Sequence, residues 1–325
     1  MDDTVEMIGE SPAMKVVRSL VRKVAPTDAT VLVSGESGCG KEPVAQSIHQ
    51  QSERCTGPFL AVNCGAIPPS LIEAELFGYE RGSFTGAARS HEGVFERACG
   101  GTLFLDEVSE MPGEMQTRLL RLLETRRFFR VGGTQEISTD VRVVAATNRC
   151  PIRAARDGVL REDLLYRLAV FPIMVPPLRE RGGDVRLLAN HFLDALNRRA
   201  GTSKKFAASA LDVLATHSWP GNVRELKNSI ERAFILADDV LNLELLALAA
   251  PQTTDDAIVA GGLFLPFGTT LAQAERRVIE TTLEYWNGNK SRSARALGCS
   301  LKTLYNKLAQ YRRDQQEPIG QAVRA

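Results

Sequence analysis

The chain has 325 residues and a mass of 35.6 kDa, with 44% apolar and 24% charged residues, which suits two or three folded units with sizeable cores and excludes disorder throughout. No apolar run reaches the ~18 residues of a membrane span, and the acidic start Met1-Asp2-Asp3 lacks the apolar stretch of a secretory signal. The net charge of +1 hides an asymmetry, because ten Lys/Arg against five Asp/Glu give residues 268–325 an excess of five positive charges and leave the remainder at −4.

Helical and strand patterns alternate over the first half. Met14, Val17, Val21 and Val24 recur at helical spacing. Short β-type runs follow at 31–33, 59–62, 102–105 and 141–146, and Gln116–Glu124 carries Leu119, Leu120 and Leu123 on one helical side. Strands alternating with helices predict an α/β unit over 1–175, a parallel sheet with helices on both faces. From residue 176 the strand signals stop. Helices over 184–199, 207–216 and 222–236 predict a smaller all-helical unit, 176–250. Residues 251–269 mix Pro, Gly and Thr with few charges and read as a linker. Helices resume from Leu271 to Arg313 in a last unit, 270–325, whose end from Asp314 is expected to fray.

The six cysteines, Cys39, Cys55, Cys64, Cys99, Cys150 and Cys299, form no CxxC pair. With only four histidines, zinc-ligand spacing is absent. A reducing cytoplasm is the natural compartment.

Gly35-Glu36-Ser37-Gly38-Cys39-Gly40-Lys41 follows the first strand and precedes a helix, the context of a phosphate-binding loop. Its glycines let successive N–H groups point at phosphate oxygens, and the next helix adds its positive end. Lys41 would reach the β- and γ-phosphates of ATP. The usual Ser or Thr after the lysine is Glu42 here, and Pro43 sits in the first helical turn, where its missing N–H is tolerated. The run Gly100–Glu107 is an apolar strand closed by two carboxylates. Asp106 is placed to hold Mg2+, and Glu107 to orient and polarise the attacking water. Two acids closing a strand also describe an ordinary solvated strand end.

These motifs resemble the AAA+ domain of the sigma-54-dependent transcriptional activators, the bacterial enhancer-binding proteins. The matching stretches are GESGCGKE (35–42), ELFGYERGSFTGA (75–87), GGTLFLDE (100–107), RVGG (130–133), VRVVAATN (141–148), REDLLYRL (161–168), PPLRERGGD (176–184) and WPGNVRELKNSIERA (219–233). They cover roughly residues 8 to 240 in the family's order, and the family's own loop carries Glu after the lysine. The resemblance implies a nucleotide site built from Gly35 to Glu42, with Thr147 and Asn148 as γ-phosphate sensor and Arg224 as the lid arginine. It implies that Asn63 hydrogen-bonds the catalytic Glu107. It makes Arg161 and Arg167 arginine fingers for a neighbouring subunit's nucleotide, so that hydrolysis depends on a ring, hexameric in the family. Read alone, each arginine is equally a surface ion pair.

The segment Gly82-Ser83-Phe84-Thr85-Gly86-Ala87 resembles the family's sigma-54-contacting loop, with Ser83 in place of an alanine. From the residues alone, glycines around Phe84 suit either a mobile loop presenting an aromatic anchor or a hairpin whose Phe packs inward. Cys39 stands where the family has Thr. A thiol at a helix start in an anion-binding loop should have a lowered pKa; an inert small residue is the favoured alternative.

At the C-terminus, Leu271–Tyr285 reads as an amphipathic helix with Leu271, Ala274, Val278 and Thr282 or Leu283 on one side. A helix holding Ala294 and Leu297 follows. Then come the turn Gly298-Cys299, the cap Ser300, and a helix 301–311 that buries Leu301, Leu304 and Leu308. Ser300, Lys302, Thr303, Tyr305, Asn306 and Lys307 are the candidate DNA contacts of a helix-turn-helix, the alternative being a helical dimerisation unit with a solvated basic face. The stretch also resembles the family's Fis-type DNA-binding domain.

The resemblance as a whole implies an ATPase that binds upstream enhancer DNA as a dimer, forms a ring, and remodels sigma-54 RNA polymerase holoenzyme. The alternative is an AAA+ ATPase remodelling another protein. Family members commonly carry an N-terminal sensing domain. Here the motifs begin almost at Met1, so control is expected from a regulatory protein in trans, from expression, or from a part of a longer chain.

Overall fold

The computed structural model describes residues 7–84, 87–242, 258–259, 262–263, 269–286 and 289–314. Two compact units divide the chain, residues 1–251 and 252–325.

The first unit begins with α1 (Pro12–Val24), β1 (Val31–Ser34), α2 (Lys41–Gln50), β2 (Phe59–Asn63), α3 (Ile72–Phe77), α4 (Val94–Arg97) and β3 (Thr102–Asp106). It continues with α5 (Gly113–Thr125), β4 (Arg127–Phe129), β5 (Glu136–Ser138), β6 (Arg142–Thr147), α6 (Pro151–Arg156), α7 (Glu162–Leu168) and β7 (Phe171–Met174). A five-stranded sheet of order β2-β3-β6-β1-β7 forms, every pairing parallel.

Strand alternation builds two core layers on this one sheet. Val31, Val33, Phe104, Val144 and Ala146 point to the face covered by α1 and α2, where Met14, Val17, Val21, Val44 and Ile48 are buried. Leu32, Leu103, Leu105, Val143 and Ala145 point to the other face, under Leu76, Phe95, Leu119, Leu164 and Leu168. Each of these Val, Leu, Ile, Phe and Met side chains contributes roughly 1.5–3 kcal/mol by leaving water. Helix α1 starts cleanly because Ser11 accepts the Met14 N–H at 3.3 Å and Pro12 occupies its first turn.

Beyond the sheet, α8 (Asp184–Ala200), α9 (Ala208–Thr216) and α10 (Asn222–Leu236) pack around Leu188, Trp219, Leu226 and Ile230. This lid is not purely helical: β8 (Lys205–Phe206) and β9 (Val240–Leu241) pair in parallel. Sequence patterning also passes over β7, because Pro172 interrupts it and it lies at the sheet edge.

The second unit holds β10 (Ile258–Val259) and β11 (Gly262–Leu263), an antiparallel pair inside the stretch read as a linker, whose other residues up to 268 lie outside the described ones. It then forms α11 (Leu271–Tyr285), α12 (Lys290–Ala296) and α13 (Leu301–Asp314). Ile279, Ala294 and Leu304 are its buried centre, with Leu283, Leu297 and Leu308 against them. The expected stripe is therefore shifted. Leu271 is 88% and Leu301 41% exposed; each is the first residue of its helix and lies outside that cluster.

Candidate nucleotide and partner sites

Parallel strands end together, so their C-terminal edge gathers residues far apart in sequence. Ser34 pairs with Thr147, and Asn63 with Asp106. The phosphate loop leaves β1 at this edge, the two carboxylates leave β3, and Asn148 leaves β6.

Lys41 opens α2 and is buried. Its ammonium donates to the carbonyls of Gly35 (3.1 Å) and Glu36 (3.4 Å) and lies 3.7 Å from a Glu107 carboxylate oxygen. Glu107 is a non-glycine residue at φ 53°, ψ 47°, a conformation that costs energy and gathers at functional sites. Its other carboxylate oxygen accepts the Asn148 N–H at 3.1 Å. The Asp106 carboxylate accepts the Glu107 N–H at 3.0 Å. Thr147 is buried, its hydroxyl 3.0 Å from that of Ser109. Lys41, Asp106, Glu107 and Asn148 thus converge. Asn63 does not reach Glu107 in this arrangement: its side-chain oxygen accepts the N–H groups of Gly65 (3.0 Å) and Ala66 (3.1 Å), closing the turn after β2. Glu42 is exposed on the first turn of α2.

The lid grips the phosphate loop from outside. Arg179 makes a two-pronged pair with Glu36 at 2.6 and 2.8 Å. Asn222, fully buried at φ 55°, donates from its amide to Glu36 (3.2 Å) and to the Ser37 carbonyl (3.1 Å) while its oxygen accepts the Leu178 N–H. These bonds hold the Glu36 carboxyl well below its ordinary range, at about 2, with the Arg179 bond the largest cause. Arg224 donates to the Ser37 hydroxyl at 3.0 Å, and the Val223 N–H to the Gly38 carbonyl at 3.0 Å. Gly38 has to be glycine: at φ 73° a Cβ would stand 2.5 Å from the Gly221 carbonyl oxygen. Arg181 is buried and donates to the Cys39 and Pro176 carbonyls.

Cys39 departs from the lowered-pKa expectation. Its thiol is fully buried in the core beside Val44 and Val175, and desolvation pushes its pKa up despite Lys41 and Arg181 nearby. The inert alternative fits this burial.

Arg161 and Arg167 lie at the two ends of α7, on the solvent side. Arg161 pairs with Asp163 at 2.8 Å, and Arg167 donates to the Leu123 carbonyl at 2.9 Å. Neither side chain has a bond to the phosphate loop of its own protomer among the described residues.

The segment with Phe84 is anchored on one side. Tyr79 and His91 exchange backbone hydrogen bonds, and the Glu80 N–H reaches the Val131 carbonyl. Arg130 joins this base through Glu80 (3.0 Å) and Glu96 (2.6 Å). Gly132, at φ 71°, lets Ser83 pack where a Cβ would stand 2.7 Å from that of Ser83. The Ser83 hydroxyl is buried without a hydrogen-bond partner, so this position needs only a small side chain. Phe84 is 42% exposed and leans edge-on against Tyr79, ring centroids 4.9 Å apart. It is neither packed inward nor free. The Gly82 N–H donates to the Ala87 carbonyl, and Thr85 and Gly86 lie outside the described residues.

In the second unit, Lys302, Thr303, Tyr305 and Asn306 are exposed on α13. Three of the candidate contacts are already engaged. Lys307 pairs with Glu275 of α11 at 2.6 Å, and the Ser300 and Thr303 hydroxyls bond each other while Ser300 caps the helix. Lys290 sits 4.9 Å over the Tyr305 ring.

Sequence reading assigned no role to Arg179, Arg181, Asn222, Ser109 or Gln116. The first three fall inside motifs matched as strings; only the fold shows what they hold.

No helix among the described residues is long and apolar enough to cross a membrane. The sigma-54 interaction domain matches residues 7–174, the AAA+ ATPase lid domain residues 179–258, and the Fis family of bacterial regulatory proteins residues 270–311. The nitrogen fixation protein AnfA of Azotobacter vinelandii is 45% identical over 306 residues, 94% of this chain and 57% of AnfA. The transcriptional regulatory protein FlbD of Caulobacter vibrioides is 43% identical over 324 residues, 95% of this chain and 71% of FlbD. The crystal structure of NtrX from Brucella abortus in complex with ATP is similar at TM-score 0.71 and 37% identity, over 94% of this chain and 69% of that one. The chain thus spans a little over half the length of AnfA. The sheet topology, the phosphate edge and these likenesses agree, and the chain belongs to the sigma-54-dependent transcriptional activators.

Proposed function

We propose that this chain is an ATP-driven activator that binds upstream DNA through α13, assembles into a ring, and remodels the sigma-54 polymerase closed complex in the cytoplasm. The observation that carries this reading is the convergence of Lys41, Glu107 and Asn148 on one sheet edge, in a unit that also carries the one-sided Phe84 segment.

Lys41 would exchange its loop carbonyls and Glu107 for phosphate oxygens, which releases Glu107 to orient and polarise a water. Asp106 is a hard oxygen donor beside that position, and no group of three or more His, Cys, Asp or Glu among the described residues could hold a metal by itself. The Asp106 carboxylate fits Mg2+, which takes one or two carboxylates and completes its shell with phosphates and water; when bound it would neutralise phosphate charge. Thr147 and Asn148 would sense the γ-phosphate, Arg224 the phosphates from the lid, and Asn63 the state of Glu107. Arg161 and Arg167 would leave Asp163 and Leu123 to reach the neighbour's nucleotide. Loss of the γ-phosphate would return Glu107 to its Lys41 and Asn148 contacts and, through the sheet, shift the segment 82–87, whose Phe84 and Thr85 would meet sigma-54. Lys302, Tyr305 and Asn306 would meet DNA directly, and Lys307 after releasing Glu275.

Transcription in vitro from a sigma-54 promoter tests this reading. Wild-type protein with ATP is expected to give open complexes, and Glu107→Gln none. Equal transcripts from both would refute it.

A further inference from the structure

Gln116 is a buried amide in the second turn of α5, 2% exposed. Its nitrogen donates both hydrogens, to the Met111 carbonyl at 2.9 Å and the Val159 carbonyl at 2.8 Å. Its oxygen accepts the Arg161 N–H at 2.8 Å. Met111 ends the short 3-10 turn Val108–Glu110 that follows Glu107, and the Ser109 hydroxyl in that turn meets Thr147. Val159 belongs to the loop before α7, and Arg161 is the residue that caps α7. One side chain therefore joins the exit of the catalytic strand to the helix carrying both arginines. The same two helices meet again at the other end of α7, where the Leu123 carbonyl of α5 accepts from Arg167.

A primary amide is the side chain with two donors and one acceptor in a fixed plane, and asparagine is a methylene too short to span the same three groups. A leucine would fill the volume and take this partner from two carbonyls and one N–H, the Met111 carbonyl among them buried. The amide gives direction as well as packing: α7 cannot rotate or slide against the Glu107 segment without breaking at least one of three bonds.

We propose that Gln116 is a positioning residue that sets the finger-bearing helix α7 against the segment leaving Glu107, so that one protomer's catalytic edge and the arginines it offers its neighbour move as one body. This rests on the reading of Arg161 and Arg167 as fingers acting across protomers.

Mixing experiments on the 325-residue chain separate the two ideas. Arg161→Ala rings should be inactive and regain turnover when mixed with Lys41→Ala protomers, which bind no nucleotide but supply intact fingers. Gln116→Met rings should bind a fluorescent ATP analogue within about twofold of wild type and hydrolyse ATP roughly tenfold more slowly or worse, as expected for a misplaced catalytic group. Mixing with Lys41→Ala should restore Gln116→Met in the same way. The double variant Lys41→Ala/Gln116→Met should fail to restore Arg161→Ala, and that partner dependence is what a general loss of stability would not produce. If Gln116→Met does not assemble, Gln116→Glu, which keeps the volume and the acceptor, carries the same test. If Lys41→Ala cannot restore Arg161→Ala, the cross-protomer reading falls and this proposal with it. If it can, but Gln116→Met turns over at the wild-type rate or stays slow beside intact fingers, the proposal alone is overturned.

Discussion

The phosphate edge of the sheet and the outer side of α7 differ in how far they are satisfied within one protomer. At the edge, Lys41, Glu36, Ser37 and Glu107 all bond partners contributed by the loop, the sheet or the lid. On α7, Arg161 turns to a residue of its own helix and Arg167 to the end of a helix, both exposed. An exposed pair of this kind contributes little to stability. The edge is held ready by burial and hydrogen bonds; the arginines are held cheaply and can leave. That contrast is what the proposed ring asks for, in which one protomer binds the nucleotide and turnover waits for another.

The largest expected effect breaks the α7 side. Arg167→Ala should bind nucleotide nearly normally and lose roughly 10³-fold or more in turnover, the scale of an arginine finger. Steady-state hydrolysis at ring-forming concentrations, with binding measured in parallel, checks it; full turnover would leave Arg167 as the surface residue it resembles in the monomer.

A second prediction sharpens the separation between the two units. Leu304 is fully buried in the small second core. Leu304→Ala should destabilise that unit by about 2–4 kcal/mol and remove DNA binding, while the hydrolysis rate at a fixed ring concentration stays put. Footprinting and ATPase assays on one preparation decide it, and unaltered protection of DNA would count against the placement of the core.

The lid clamp gives a smaller, pH-dependent effect. The Glu36 carboxyl is depressed from 4.5 to about 2 by Arg179. Its contribution is therefore fully present above the unfolded value and fades as pH falls from there through about 2. The difference in melting temperature between wild type and Glu36→Gln should be flat above neutral-to-mildly-acid pH and shrink in stronger acid. A gap that is unchanged in strong acid contradicts the clamp.

The smallest effect is at Cys39. A buried thiol with a raised pKa reacts slowly, so a thiol-alkylating reagent should inactivate wild type and Cys39→Thr at the same rate. Faster loss in the wild type would mean that the loop opens far enough to expose it.

Much of this was legible in the sequence, for physical reasons. Strands buried on both faces read as apolar runs, which is why β1, β3 and β6 stand out; β2, a half-buried edge strand, stands out by the apolar run Phe59–Val62 alone. The phosphate loop reads because glycines there are demanded by backbone geometry. What stayed hidden depends on the fold. Arg179 meets Glu36 across 143 residues and Asn222 meets Glu36 across 186, separations that carry no periodic signal. At Cys39 helix-end electrostatics competes with burial and burial prevails, which overturns the lowered pKa and fits the favoured inert reading. Leu271 and Leu301 were misjudged because a helical stripe does not say which first turn has a neighbour to pack on.

In the proposed cycle, nucleotide state controls the Phe84 segment's grip on sigma-54. Co-sedimentation of the ring with sigma-54, with and without a transition-state mimic of ATP hydrolysis, measures that most directly. Wild type should gain affinity with the mimic, and Phe84→Ala should hydrolyse ATP yet gain none. Equal capture with and without the mimic, or capture that survives loss of the Phe84 ring, would show that nucleotide state does not act on sigma-54 through this segment.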